Sequence, residues 1–148
     1  MMTIFSLRSV RYAWVLLFAS LGLFGCASGP PFKPEASVPS DKALVYVYRP
    51  PVMHGAVYSP YVIVGSNAPV ALRNGGYFTT FVLPGDVLVS ISNVGMRSLN
   101  INAVAGESYY VKGGTAFMAG GYPALSLVPS ETALPEIREC KLIDSRQP

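Results

Sequence analysis

Gly76-Tyr-Phe-Thr-Thr-Phe-Val-Leu-Pro-Gly-Asp-Val-Leu-Val-Ser-Ile-Ser-Asn93 is two runs of β-forming residues joined by a turn. In the second run Val87, Val89 and Ile91 fall on one face of an extended chain, and Leu88, Ser90 and Ser92 on the other. Successive side chains of a strand point to opposite faces, so this is the pattern of a half-buried strand. The junction Leu83-Pro84-Gly85-Asp86 has proline at the second and glycine at the third position of a type II turn, where a positive φ suits glycine. The reading predicts strands over 76–83 and 86–93, paired as a hairpin.

The alternation recurs on either side. Arg97 to Ala103 places Leu99, Ile101 and Ala103 inward and Ser98, Asn100 and Asn102 outward. Ala105-Gly106 then turns the chain into a strand over Glu107 to Lys112. Upstream, Ala43 to Arg49 alternates Leu44, Tyr46 and Tyr48 with Val45 and Val47. Both sets are apolar or aromatic, as in a central strand covered on two faces. Tyr61 to Gly65 and Pro69 to Arg73 read as short strands around Ser66-Asn67, with Asn74-Gly75-Gly76 as the next turn. A further strand is expected over Pro123 to Val128. The expected fold is all-β: an antiparallel β-sandwich, immunoglobulin-like or transthyretin-like, of about seven to eight short strands with a short C-terminal helix.

Two stretches break the rhythm. Gly113 to Gly121, apolar with glycine pairs at both ends, reads as a loop, or as a place where Phe117 and Met118 touch a partner or a membrane surface. Ser130 to Glu139 has helix signals: a turn at Ser130, then a short helix with Pro135 at its first position, where its missing N–H costs nothing, followed by Glu136 to Cys140. Ile137 and Cys140 would then share one buried face.

The N-terminus carries a different signal. Arg8 and Arg11 precede a 13-residue apolar run from Tyr12 to Phe24, and Leu23-Phe24-Gly25-Cys26 closes it as a lipobox. This order predicts a lipoprotein signal peptide over 1–25, cleaved after Gly25, with a diacylglycerol on the Cys26 sulfur and an acylated amine. The run is too short for a membrane span, which takes about 20 residues. Alanine at position 27, where aspartate would favour inner-membrane retention, points to an outer-membrane anchor facing the periplasm of a Gram-negative cell. Residues 26–40, with Gly29, Pro30, Pro31, Pro34 and Pro39, read as a lipid-anchored Pro-rich tether, extended at about 3.1 Å per residue. Residues 41–148 read as a single domain.

Composition narrows the function. The chain has 11 basic and 8 acidic residues, but Arg8 and Arg11 leave with the signal, so the mature part holds nine against eight. That balance gives no case for a nucleic-acid surface. Once Cys26 is lipidated only Cys140 remains, and no intrachain disulfide can form. One histidine, His54, and one free thiol do not make a zinc set, and no G-x-S-x-G occurs. No catalytic residue, cofactor or metal is assigned. Tyrosine does stand out: Tyr46, Tyr48, Tyr58 and Tyr61 with Arg49 and His54 form a candidate binding patch, the alternative being that these rings pack a second sheet face.

Asp41-Lys-Ala-Leu-Val-Tyr-Val-Tyr-Arg-Pro50, Asn74-Gly-Gly-Tyr-Phe78, Leu83-Pro-Gly85, Ala105-Gly-Glu-Ser-Tyr-Tyr-Val-Lys112 and Glu136-Ile-Arg-Glu-Cys140, in this order behind a lipobox, resemble the bacterial lipoprotein family known as domain of unknown function 2846. The resemblance covers Asp41 to Ile143. It implies a β-sandwich and carries over no active site. The expectation is a non-enzymatic, lipid-anchored envelope module that binds or supports another envelope protein. A second expectation is a glycan- or small-ligand-binding lipoprotein using the tyrosine face. A third is an envelope hydrolase with His54 in reach of a serine or of Cys140.

Overall fold

The computed structural model describes residues 27–53, 55–92, 97–116 and 122–144. The expected signal peptide with Gly25, the expected lipidation residue Cys26, and His54, Phe117 and Met118 lie outside the described residues. The elements in chain order are β1 (Ala43–Arg49), β2 (Tyr61–Val64), β3 (Val70–Ala71), β4 (Gly76–Val82), β5 (Gly85–Ser92), β6 (Arg97–Ala103), β7 (Ser108–Ala116), β8 (Tyr122–Val128), α1 (Ser130–Ile137) and β9 (Lys141–Leu142). They form a five-stranded sheet, ordered β8-β7-β1-β4-β9, and a four-stranded sheet, ordered β3-β2-β5-β6.

A core fills the space between the sheets, as the alternation requires. Val45 and Val47 of β1, Val62 and Val64 of β2, Val87, Val89 and Ile91 of β5, and Ile101 of β6 belong to one buried cluster. Leu88, on the outer face of β5, is 53% exposed. The strand expected to be covered on two faces is so: all seven residues of β1 are buried. Its second face, Leu44, Tyr46 and Tyr48, packs in a separate cluster with Tyr77, Ala133, Ile137 and Cys140. The molecule therefore has three layers: the small sheet, the large sheet, and a cover made by α1 and residues 32–38.

Four expectations are corrected. Gly85 has the expected positive φ, 120°, but Pro84 makes only a bend, Gly85 already opens β5, and β4 and β5 do not pair as a hairpin. A strand has two hydrogen-bonding edges, and those of β4 are taken by β1 and β9 while those of β5 are taken by β2 and β6. The bend is a corner between sheets. Nor is the fold purely antiparallel: β1 runs parallel to β7, and β4 parallel to β9. The glycine-rich stretch continues β7 as far as Ala116, and Gly113↔Leu125 and Gly114↔Ala124 pair it with β8. Finally, α1 starts at Ser130 and runs through Pro135. Its first carbonyl, Pro129 O, accepts from the Thr132 and Ala133 N–H groups. Ala133 and Ile137, at i and i+4, are both fully buried against the sheet, and that packing outweighs the single N–H that Pro135 withholds.

The Pro-rich segment also differs from a free tether. Ala27 is buried, with its N–H on Asn74 O at 3.1 Å. Pro31 bridges Lys141, and Pro30 O accepts from Leu142 N–H at 2.8 Å, so the segment covers the β9 edge. Phe32 meets the rings of Tyr46 and Tyr77 edge-on, at centroid distances of 5.8 and 5.1 Å. Proline withholds donors but leaves its carbonyl free to accept, which suits a strap laid along an edge.

Candidate functional site

Two of the tyrosines that drew attention in the sequence, Tyr46 and Tyr48, hold this cover together with Tyr77. Tyr46 Oη accepts from Glu35 N–H at 2.9 Å and Tyr77 Oη from Lys33 N–H at 3.3 Å. Tyr46 stacks on Tyr110 at 4.9 Å with the ring planes 6° apart. Tyr48 Oη donates to Glu136 Oε2 of α1 at 2.7 Å, and Lys112 Nζ approaches Glu136 Oε1 at 2.6 Å. Burial raises the phenols of Tyr46 and Tyr48 above their usual value, and Tyr48 is raised further by its acceptor Glu136. Each phenol stays protonated and acts as a fixed donor or acceptor. The lysine's hydrogen bond lowers the Glu136 carboxyl, so it is ionised at neutral pH.

Of the candidate patch, Tyr46 and Tyr48 are 3% and 0% exposed and make no surface. Arg49 points to the other side of β1, with Val45 and Val47, and Tyr61 stands 41% exposed on β2 of the opposite sheet. Among the five described members, Tyr46 and Tyr48 share the covered face of β1, and Arg49 meets Tyr58 through its backbone carbonyl. The Arg49 guanidinium is 2% exposed at the end of the inter-sheet core. Nη1 donates to Tyr58 O and Leu72 O, and Nη2 donates to Gly55 O at 2.7 Å. Burial lowers its pKa, though a guanidinium remains charged at any ordinary pH. Two of these carbonyls, Gly55 O and Tyr58 O, pin the β1–β2 loop to the sandwich, and the third ties in Leu72 after β3. Arg49 Nε and Tyr58 Oη are buried without a hydrogen-bond partner among the described residues.

Asn74, read from sequence only as part of a turn, is the second fastening at this end and is 5% exposed. Its side-chain amide pairs reciprocally with the backbone of Val52: Val52 N–H to Oδ1 at 3.0 Å, and Nδ2 to Val52 O at 2.9 Å. Its own carbonyl accepts from Ala27. Gly75 follows at φ 64°, a conformation that favours glycine, with Pro51 packed against it. One buried asparagine thus joins the start of the described chain to the β1–β2 loop. Beside it lies an open cleft of about 550 Å³, lined by Ala27 to Pro30, Arg73 and Ile143 among others.

Cys140 is 1% exposed, with Sγ 3.4 Å from Arg49 O. Burial, with the charges of Glu139 and Glu136 adding to it, pushes the thiol up to about 12. A nucleophile needs the opposite shift. No group of three potential metal ligands converges among the described residues. Glu136 and Lys112 went unread as a pair because they lie 24 positions apart with no motif between them. Arg49 did carry a signal: period two puts it with Ala43, Val45 and Val47 on the core face. Neither family models, nor curated proteins, nor solved structures give a match to this chain.

Proposed function

We propose that this chain is a lipid-anchored protein of the Gram-negative cell envelope, acting without a catalytic step as a binding or structural module for another envelope protein. The observation that carries the reading is the tetrapeptide Leu23-Phe24-Gly25-Cys26 behind the Arg8, Arg11 and Tyr12–Phe24 run. Several acyl chains on Cys26, each CH₂ contributing about 0.8 kcal/mol, give firm attachment. The two-sheet architecture is read as a sandwich of immunoglobulin-like or transthyretin-like type, and the strand-and-turn motifs as those of domain of unknown function 2846. The structural side of the reading is supported by how the polar groups are used: tyrosine hydroxyls and Arg49 hold chain segments together.

The test compares the wild type with Cys26→Ala in fractionated envelopes, with labelled palmitate and crosslinking. The expected result is a palmitate-labelled wild type in the outer-membrane fraction, crosslinked to a defined protein, and an unlabelled variant that loses both. Identical fractionation and labelling would overturn the reading.

A further inference from the structure

We infer that the β1–β2 loop, with Val52, Met53 and Val57, rests on the lipid surface that holds the anchor, so that the domain sits on the membrane in one fixed orientation. This rests on the lipid-anchor reading above. The loop joins Arg49 to Tyr61, and three of its side chains are apolar and turned to water: Met53 is 99% exposed, Val57 90% and Val52 44%. Residues 50–60 contain no acidic and no basic side chain apart from the titratable His54. An apolar, acid-free loop is neither repelled by anionic headgroups nor held in water by its own charge.

Its position points to the occupant. Asn74 accepts the Ala27 N–H at 3.1 Å and clasps the Val52 backbone at 3.0 and 2.9 Å. One residue and three hydrogen bonds therefore keep Ala27 and Val52 within about 10 Å. Cys26 is bonded to Ala27, and covalent geometry keeps their Cα atoms about 3.8 Å apart across a trans peptide. No spacer intervenes between acyl chains and loop, because residues 27–32 are strapped to β9 and the tyrosine face.

The loop is also presented rather than loose. Arg49 holds it through Gly55 O and Tyr58 O, and Pro51 packs on Gly75. With the acyl chains inserted, this end of the sandwich lies at the headgroup level. Side chains there enter the apolar boundary, which interfacial segments reach to a depth of about 5–10 Å. The corner at Leu83, which is 71% exposed, is the comparison. It follows β4, whose first residue, Gly76, pairs with Arg49 and whose last, Val82, pairs with Ala43, so it lies at the far end of the sheet.

Trp14 is the one tryptophan of the chain and is lost with residues 1–25, so a substitution creates a sole reporter. The lipidated protein carrying Met53→Trp, Val57→Trp or Leu83→Trp would be purified and reconstituted into phosphatidylethanolamine–phosphatidylglycerol vesicles with brominated acyl chains. Flotation reports the anchor, and tryptophan quenching reports the loop. The expected result is that all three float, and that Met53→Trp and Val57→Trp are quenched about threefold more than Leu83→Trp, with blue-shifted emission. Flotation with equal quenching at all three positions overturns the inference and leaves the anchor standing, and the exposed loop then faces a protein. Failure to float removes the anchor, and the inference with it.

Discussion

Tyr48 Oη donates to Glu136 Oε2 at 2.7 Å, tying the central strand to the helix across 88 positions of chain. Lys112 completes the arrangement from β7, so the two strands and the helical cover meet at one carboxylate. The lysine's hydrogen bond holds that carboxyl below its usual range, with burial opposing and Tyr48 assisting. A carboxyl depressed in the fold contributes stability above its unfolded value of about 4.3, and loses it as pH falls through the folded value. The side chains of Lys112 and Glu136 are 36% and 28% exposed, so solvent screens the pair. It contributes about 0.5–1 kcal/mol. Glu136→Gln should lower the urea midpoint at pH 7, and the gap to wild type should narrow steadily as pH falls below the unfolded value of about 4.3. A gap that does not narrow with acidification means that the charge is not what the site uses.

Arg49 is a fastening for the loop, and its variants should rank by geometry. Arg49→Ala leaves the carbonyls of Gly55, Tyr58 and Leu72 without their donor, a loss of about 3 kcal/mol. Arg49→Lys keeps the charge but lacks the planar fork, and should lose about half as much. The guanidinium stays charged despite its lowered pKa, so the Arg49→Ala loss should not vary between pH 5 and pH 9. Urea melts at both limits check this. Equal stability of wild type and Arg49→Lys would mean that only charge matters there.

The same residue shows what could be read before the structure. Strict period two in β1, β5 and β6 gave the core faces correctly, because a strand's alternation is local and the core is its direct consequence. Parity also put Arg49 with the valines rather than with Tyr46 and Tyr48, yet the patch grouped them by proximity in sequence. Partner choice was not legible. Pro84-Gly85 dictates a local φ but not whether β4 and β5 stay together, and a parallel pair such as β1 and β7 leaves no turn to find. The apolar second face of β1 announced that something covers it. That Phe32 does so was hidden by a composition that reads as an extended linker.

Cys140 should behave as a buried hydrophobe. With its thiol raised to about 12, the thiolate is a trace species at pH 8, whereas an unfolded chain titrates near 8.5. Thiol labelling of the native protein at pH 8 should run at least about 100-fold slower than in urea. Native labelling at the unfolded rate would reopen a reactive role for the thiol.

Gly29 decides whether the N-terminal strap can stay docked. A Cβ there would fall on the backbone carbonyl of Leu142, which cannot rotate away as a side chain could. Gly29→Ala should therefore lift residues 27–31 from β9 while leaving the inter-sheet core intact. The Leu142 N–H, bonded to Pro30 O at 2.8 Å, is the local reporter. Its hydrogen exchange should quicken in Gly29→Ala, while amides of β1 and β5 keep wild-type protection. In the anchored protein this variant gains a slack segment between Cys26 and the domain, so the fixed orientation inferred above should loosen too. Gly29→Ala combined with Met53→Trp should lose quenching by brominated lipid yet still float. Unchanged Leu142 exchange would show that the strap accommodates the methyl group and that the close approach at Gly29 does not hold it.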